Sequence, residues 1–145
     1  MKKILFVDDN PLIVRVYCEQ FNEAGFEVQS AENGLAAMKA LLSMRPDVVV
    51  LDLIMPVMNG VDVLRFIRTA PDLKATPVII LSEAYMSELA QEAAKIGPDL
   101  TLLKSGCTPA LLIDAVNKML TGAPVEMDTS FMLAIRPKDP PPRGG

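Results

Sequence analysis

Short, mainly apolar runs without regular polar alternation recur along the first 103 residues of the chain. Four of them cover residues 4–7, 48–51, 78–81 and 100–103, and a weaker run covers residues 26–30. Continuous runs of Val, Ile and Leu are typical of parallel strands that are covered on both faces. The pattern therefore predicts five strands of a buried parallel sheet.

Between these runs the apolar spacing changes to that of a helix. The first helical segment has Asn10 as its cap and Pro11 in its first turn, and it stops near Gly25. The last has Thr108 as its cap and Pro109 in its first turn. The residues predicted to face the core are Ile13, Val16, Tyr17 and Phe21 in the first helix, Leu35, Met38, Leu41 and Leu42 in the second, Val61, Leu64 and Ile67 in the third, and Leu112, Ala115, Val116 and Met119 in the last.

A shorter and more polar helical segment ends at Gly97, so that strand and helix alternate five times. Such alternation predicts an α/β fold, in which right-handed crossovers place helices on both faces of a parallel sheet. Residues 1–121 form one predicted domain. Residues 122–145 hold five of the twelve prolines and read as a tail or linker. The apolar spacing within the tail fits both a strand and a helix, and its structure stays open.

Composition narrows the range of functions. With 50% hydrophobic and 22% charged residues, the 145-residue chain is typical of one globular domain. A net charge of −4 argues against nucleic-acid binding, and no apolar run is long enough to cross a membrane. Two distant cysteines, Cys18 and Cys107, suit the cytoplasm. The absence of histidine excludes Ser-His-Asp, Cys-His and His-metal chemistry.

Polar residues stand at the ends of four predicted strands. Asp8 and Asp9 follow the first strand, Asp52 the third, Ser82 the fourth and Lys104 the fifth. Sites in open parallel sheets form beyond the carboxyl ends of the strands. We therefore expect three carboxylates, a hydroxyl and an ammonium group to meet at one edge.

Three carboxylates packed together repel one another unless a cation lies among them. Mg²⁺ prefers oxygen ligands and binds through one or two carboxylates together with phosphate oxygens. The set predicts Mg²⁺-dependent phosphoryl transfer, with Asp52 as the nucleophile. Mg²⁺ and Lys104 would neutralise charge on the transferring group, and Ser82 would donate a hydrogen bond to it.

The segments "FVDDN", "LDLIMPVMNG", "IILS" and "LLKS", in this order, resemble the receiver domain of two-component response regulators over about residues 2–121. The resemblance implies a doubly wound five-stranded sheet of order 2-1-3-4-5, like flavodoxin. It also implies that Asp52 accepts a phosphoryl group from a histidine kinase or phosphotransfer protein. Asp8 or Asp9, Asp52 and the main-chain carbonyl of Ile54 would hold Mg²⁺.

In the same pattern Ser82 and Lys104 contact the phosphate, but three neighbouring positions depart from the family. Thr101 replaces the usual aromatic residue three before the lysine, which puts the aromatic coupling in doubt. Ser105 replaces the usual proline and could loosen the lysine loop. Glu83 replaces a small residue, where it could crowd the pocket or repel an anionic donor.

These features predict a cytoplasmic, single-domain response regulator that signals to a downstream protein and is not an enzyme in the ordinary sense. Two alternatives are a scaffold that keeps the fold without phosphorylation and the N-terminal part of a longer regulator. A phosphohydrolase is disfavoured, because Ile54 stands where such enzymes commonly carry a second acid. Whether the chain forms a homodimer stays open.

Overall fold

The computed structural model describes residues 1–83 and 88–122. The predicted α/β fold is confirmed: the strands form one parallel sheet of order β2-β1-β3-β4-β5. The strands are β1 (Lys3–Val7), β2 (Glu27–Ala31), β3 (Val48–Leu51), β4 (Val78–Ser82) and β5 (Leu100–Leu103). The helices are α1 (Pro11–Glu23), α2 (Gly34–Met44), α3 (Gly60–Thr69), α4 (Glu88–Ile96) and α5 (Pro109–Thr121). A short 3-10 turn, Lys104–Gly106, follows β5.

The register of the sheet aligns the carboxyl ends of its strands. Val7 pairs with Leu51 across β1 and β3, so that the next residue of each strand is an aspartate. Ser82 pairs with Leu103 across β4 and β5, which places Lys104 one residue beyond that pair. The strand-end residues therefore gather at one edge because the strands are parallel and end in register.

The sheet divides the core into two layers, because successive residues of a strand point to opposite faces. Leu5 and Val7 pack with α2, α3 and α4, whereas Ile4 and Phe6 pack with α1 and α5. Both faces of the central strands are thus covered by helices. This burial explains why those strands read as continuous apolar runs.

The predicted helix starts agree with the structure. The Asn10 side chain accepts hydrogen bonds from the N–H groups of Leu12 and Ile13, and Thr108 accepts one from Leu111. Each cap is followed by a proline at the first helical position, where the missing N–H costs no hydrogen bond. These caps fix where α1 and α5 leave the site edge of the sheet.

The prediction of burial is wrong for three residues. Val16, Leu35 and Leu42 are exposed, with 65% of Leu42 accessible. Helix α2 has only two polar residues, Lys39 and Ser43, so its sequence does not define one apolar face. Besides two large residues, the helix buries Ala37 and Ala40, whose small side chains let its backbone approach the sheet closely. Leu35 and Leu42 then point outward.

At the opposite edge of the sheet, Arg68 in the last turn of α3 joins several segments. Its guanidinium donates to the carbonyls of Gly97 at 2.9 Å, Lys74 at 3.1 Å and Thr76 at 2.6 Å. It also donates to Asp99 Oδ2 at 2.8 Å. Arg68 therefore links α3 to the chain that enters β4 and β5.

The predicted tail lies outside the described residues, apart from Gly122. Gly122 follows α5 with a φ of +78°, a left-handed conformation that favours glycine. Among the described residues, no helix has the length and apolar character needed to cross a membrane.

Candidate functional site

The strand-end residues lie together at the carboxyl edge of the sheet. Asp8 follows β1 and is 1% exposed, and Asp52 follows β3 and is 5% exposed. Ser82, the last residue of β4, is 2% exposed. Asp9 is at the surface beside them, and Lys104 begins the 3-10 turn after β5. The structure thus brings all five predicted side chains to one edge.

The three aspartates form a compact group of oxygen atoms. One carboxylate oxygen from each of Asp8, Asp9 and Asp52 lies within 4.8 Å of the others. Backbone hydrogen bonds hold two of these residues to neighbouring strands. The N–H of Asp8 donates to Ala31 at 3.1 Å, and that of Asp52 donates to Val7 at 2.9 Å. The ladder of the sheet therefore sets the spacing of the buried carboxylates.

Lys104 is the cation that faces the buried pair. Its Nζ lies 2.8 Å from Asp8 Oδ2 and 3.3 Å from Asp52 Oδ2. The Lys104 side chain is 17% exposed, so these contacts are largely shielded from water. Ion pairs in such places are stronger than those on the surface, although desolvation offsets part of the gain.

The site opposes the ionisation of Asp52. Burial raises the pKa of Asp52, and the nearby charge of Asp8 raises it further, whereas Lys104 and a hydrogen bond with Ser82 lower it; the pKa is raised overall. For Lys104, burial lowers the pKa, but the contacts with Asp8 and Asp52 outweigh burial and raise it. Lys104 therefore stays an ammonium group at neutral pH.

The loop between β3 and α3 begins at Asp52 and so adjoins the site. Ile54, two residues after Asp52, is exposed, and so is Val57. A Cβ on Gly60 would collide with the main-chain carbonyl of Asp52, so glycine is required where α3 begins. Close backbone packing thus fixes the chain that follows Asp52.

The departures from the family pattern take up defined positions. Glu83 directs its carboxylate to the loop after β5, where Oε1 accepts the Ser105 N–H at 3.2 Å. The residues themselves were visible in the sequence, but this contact was not, because it joins positions 22 apart. Thr101 lies in β5 and is partly buried.

The sequence also gives no sign of a second contact to the loop after β5. The hydroxyl of Tyr17, in α1, donates to the Cys107 carbonyl at 3.1 Å. The sequence pattern assigned Tyr17 to the core, and its ring does stack on Phe6 at a centroid distance of 5.3 Å. Apolar periodicity does not reveal what a tyrosine hydroxyl will contact.

The group Asp8, Asp9 and Asp52 fits a hard divalent cation. It supplies oxygen ligands only, two of them buried, and burial of like charges leaves an electrostatic conflict that a cation would relieve. The main-chain carbonyl of Ile54 is a further oxygen in the adjoining loop. These donors suit Mg²⁺ better than a soft metal, which prefers thiolate or imidazole.

The chain has many relatives among known proteins. The family model "Response regulator receiver domain" matches residues 4–117. The transcriptional regulatory protein CusR of Escherichia coli is 29% identical over 132 residues, which are 91% of this chain and 57% of CusR. The chemotaxis protein CheY of Thermotoga maritima is 31% identical over 120 residues, which are 81% of this chain and 97% of CheY.

The solved structures agree. The chemotaxis response regulator CheY4 of Vibrio cholerae has a TM-score of 0.74 and 30% identity, and the match covers 81% of this chain and 98% of that one. The receiver domain of a Syntrophus aciditrophicus histidine kinase has a TM-score of 0.77 and 29% identity, with 92% and 99% covered.

Coverage of the curated relatives varies. The chain spans 57% of CusR and 44% of SilR from Salmonella typhimurium, which is about half the length of these regulators. Receiver domains are signalling domains that bind Mg²⁺ at an acidic cluster and interact with histidine kinases and downstream targets. With the family model matched over residues 4–117, the chain belongs to the response regulator receiver domain family.

Proposed function

We propose that this chain is a phosphorylation-controlled switch in the cytoplasm, in which Asp52 accepts a phosphoryl group from a histidine kinase or phosphotransfer protein. The observation that carries the proposal is the convergence of Asp8, Asp9, Asp52, Ser82 and Lys104 at one edge of the sheet. Two carboxylates, a hydroxyl and a lysine around the buried Asp52 suit a charged reactant.

In the proposed reaction, a carboxylate oxygen of Asp52 forms a bond to the phosphorus. The bond from phosphorus to the donor's imidazole nitrogen breaks, and its electron pair stays on that nitrogen. Asp8, Asp9, Asp52 and the carbonyl of Ile54 would hold Mg²⁺, which neutralises charge on the transferring group when bound.

The chain's own residues supply the remaining contacts. Lys104 Nζ already reaches Asp52 Oδ2, so a small rotation would move its ammonium group onto a phosphoryl oxygen. The Ser82 hydroxyl stands at the end of β4 and would donate a hydrogen bond to another oxygen. Both contacts grow stronger as negative charge builds on those oxygens.

The rim of the site supports a protein as the donor. Four exposed apolar side chains lie in the loops or first helical turns that follow β1, β2 and β3. They are Leu12, Leu35, Ile54 and Val57. Exposed apolar side chains gathered at one end of a molecule favour a protein docking surface. The same argument favours signalling by contact with a downstream protein.

The proposal extends to a chain that acts alone, as a single-domain regulator. The 97% coverage of Thermotoga maritima CheY supports this, and the 57% coverage of CusR supports the N-terminal part of a longer regulator as the second candidate. We expect no nucleic-acid contact within this chain, given its net charge of −4. Formation of a homodimer after phosphorylation is left to the experiment below.

The test is intact-mass analysis after incubation with a small phosphodonor such as acetyl phosphate, with and without Mg²⁺. We expect a single phosphoryl adduct that requires Mg²⁺ and is absent from Asp52→Asn. Asp114→Asn, an exposed substitution on α5, is the matched control and should form the adduct normally. Size-exclusion chromatography of the adduct would report dimerisation.

An adduct on Asp52→Asn, or one independent of Mg²⁺, would contradict the assigned roles. No adduct and no Mg²⁺ binding in the wild type would favour a scaffold that keeps the receiver fold without phosphorylation.

A further inference from the structure

We propose that Glu83 and Tyr17 are positioning residues for Lys104, which they aim by holding the loop that carries it from two sides. The inference rests on the proposed function, in which Lys104 contacts the phosphoryl group. Neither residue belongs to the group of five strand-end residues. Glu83 contacts the backbone N–H of Ser105, and Tyr17 contacts Cys107 at its carbonyl and at its side chain.

The loop has little to hold it by itself. It is a single 3-10 turn, Lys104–Gly106, and its end is closed by a hydrogen bond from the Cys107 N–H to the Lys104 carbonyl at 3.2 Å. The first N–H groups of a helical turn have no partner within it. Contacts from outside the turn therefore add to the orientation that β5 gives it, and so to the direction of the Lys104 side chain.

Glu83 supplies the first contact. The register of β4 and β5 pairs Ser82 with Leu103, so the chain leaving β4 runs beside the chain leaving β5. From there the Glu83 carboxylate accepts the N–H of Ser105, the residue next to Lys104. A carboxylate is a stronger acceptor than a neutral group. The contact also places the carboxylate of Glu83 at the positive end of the Ser105 N–H dipole.

Tyr17 supplies the second contact, from α1. It is 6% exposed, and its ring is stacked on Phe6 with an interplanar angle of 27°. The hydroxyl therefore has a fixed position from which it donates to the carbonyl of Cys107. Both contacts lie C-terminal to Lys104 in the chain: Ser105 is one residue away and Cys107 is three residues away.

The rate of phosphoryl transfer should depend on the exact position of the Lys104 ammonium group. Lys104 must serve two oxygens on different strands, at 2.8 Å from Asp8 and 3.3 Å from Asp52. A displacement of about 1 Å in a catalytic group can cost about 100-fold in rate. A loop held from β4 and α1 places the ammonium group relative to both strand ends.

The test compares rates of phosphorylation by acetyl phosphate in saturating Mg²⁺. Glu83→Ala and Tyr17→Phe should each lower the rate about threefold to tenfold, the effect of losing one exposed or partly buried hydrogen bond. Glu83→Gln keeps an acceptor oxygen and should stay within about twofold of the wild type. Ser105→Ala keeps the N–H donor and is the matched control, with no change expected.

Two further measurements distinguish a misplaced Lys104 from a general disruption of the site. The dissociation constant for Mg²⁺ should be unchanged in every variant, because the three aspartates are untouched. Solvent exchange of the Ser105 amide proton, followed by NMR, should accelerate in Glu83→Ala and stay slow in Glu83→Gln.

Wild-type rates in both Glu83→Ala and Tyr17→Phe would overturn the inference and leave the proposed function intact. Equal slowing in Glu83→Gln and Glu83→Ala, or faster transfer in both, would assign the effect to charge and also overturn it. Absence of any adduct on the wild type would instead overturn the proposed function, and the positioning role with it.

Discussion

Asp52 carries its charge in surroundings that oppose it. Burial and the neighbouring carboxylate of Asp8 raise its pKa, and the opposing contacts with Lys104 and Ser82 do not restore the ordinary value. A raised pKa in the folded state means that the protonated carboxyl stabilises the fold at low pH. That stabilisation is lost as pH rises through the folded pKa.

Asp52→Asn should therefore stabilise the metal-free protein at pH 7, by about 1 kcal/mol or about 3 °C in Tm. The gain should shrink toward acid and vanish below the unfolded-state pKa near 3.8, where the wild type is protonated as well. Thermal unfolding in chelator across this pH range measures it. Asp114→Asn should show no such pH-dependent gain, and a gain that grew toward acid would contradict the sign.

Val57 is a second residue in unfavourable surroundings, because its backbone adopts a conformation that valine disfavours. It has a φ of +72° and is 83% exposed, and the N–H of Met58 donates to the Pro56 carbonyl at 2.8 Å across it. Such three-residue turns with positive φ are rare and strained, above all for a β-branched side chain.

Val57→Gly should stabilise the protein by about 0.5–1 kcal/mol, because relief of left-handed strain exceeds the added chain entropy of glycine. Val57→Ala, the matched control, keeps a Cβ and most of the strain, and should change stability by less. Urea unfolding at fixed pH gives both values. A less stable glycine variant would show that Val57 makes contacts worth more than its strain.

At the scale of helices and strands, the sequence predicts most positions but not every orientation. The strand bounds differ from the prediction by one residue or none. The buried strands β1, β3 and β4 leave clear apolar runs, whereas β2 is largely exposed and leaves only a weak one. The predicted face of α2 is wrong at Leu35 and Leu42, because a helix with only Lys39 and Ser43 as polar residues has no distinct polar side. Its orientation is set by the close packing of alanines, which periodicity does not show.

In the candidate site too, the sequence predicts which residues come together but not all of the contacts that they make. The gathering of strand-end residues follows from parallel topology alone, so Asp52 and Lys104 were found from the sequence. The contact of Glu83 with Ser105 depends on the path of two loops and on a side-chain rotamer. Neither has a sequence signature.

Arg68 shows how elements are joined away from the site. Its four hydrogen bonds reach the segments before β4 and β5, and Asp99 Oδ2 also accepts the N–H of Val78, the first residue of β4. The side chain is 17% exposed, so its loss would leave several acceptors without this donor.

Arg68→Ala should destabilise the protein by about 2–4 kcal/mol, and Arg68→Lys by less, because a lysine has no planar fork to reach all four acceptors. Arg65→Ala is the matched control: Arg65 pairs with Asp62 and Glu92 at the surface and should cost at most about 0.5 kcal/mol. Chemical denaturation measures each. Equal losses in the two alanine variants would contradict the central role of Arg68.

For the whole molecule, Mg²⁺ binding is expected to act as a stabiliser of the fold, because the three aspartates are brought together only when the sheet is formed. At 100 times the dissociation constant the gain should be about 2.7 kcal/mol, seen as a Tm that rises with Mg²⁺ concentration. Asp9→Asn should reduce this rise strongly while changing the metal-free Tm little, since Asp9 is exposed.

Asp114→Asn should keep the full Mg²⁺-dependent rise. If Asp9→Asn also kept it, Asp9 would not be a ligand.

The two-layer core also bears on how this domain can change over evolutionary time. Leu64 of α3 and Leu112 of α5 lie in different layers with the sheet between them. Substitutions at two such sites should combine additively, to within about 0.5 kcal/mol. Both layers contribute to one total stability, but each can be repacked on its own. A substitution that loosens the packing under α3 then needs no matching change under α5.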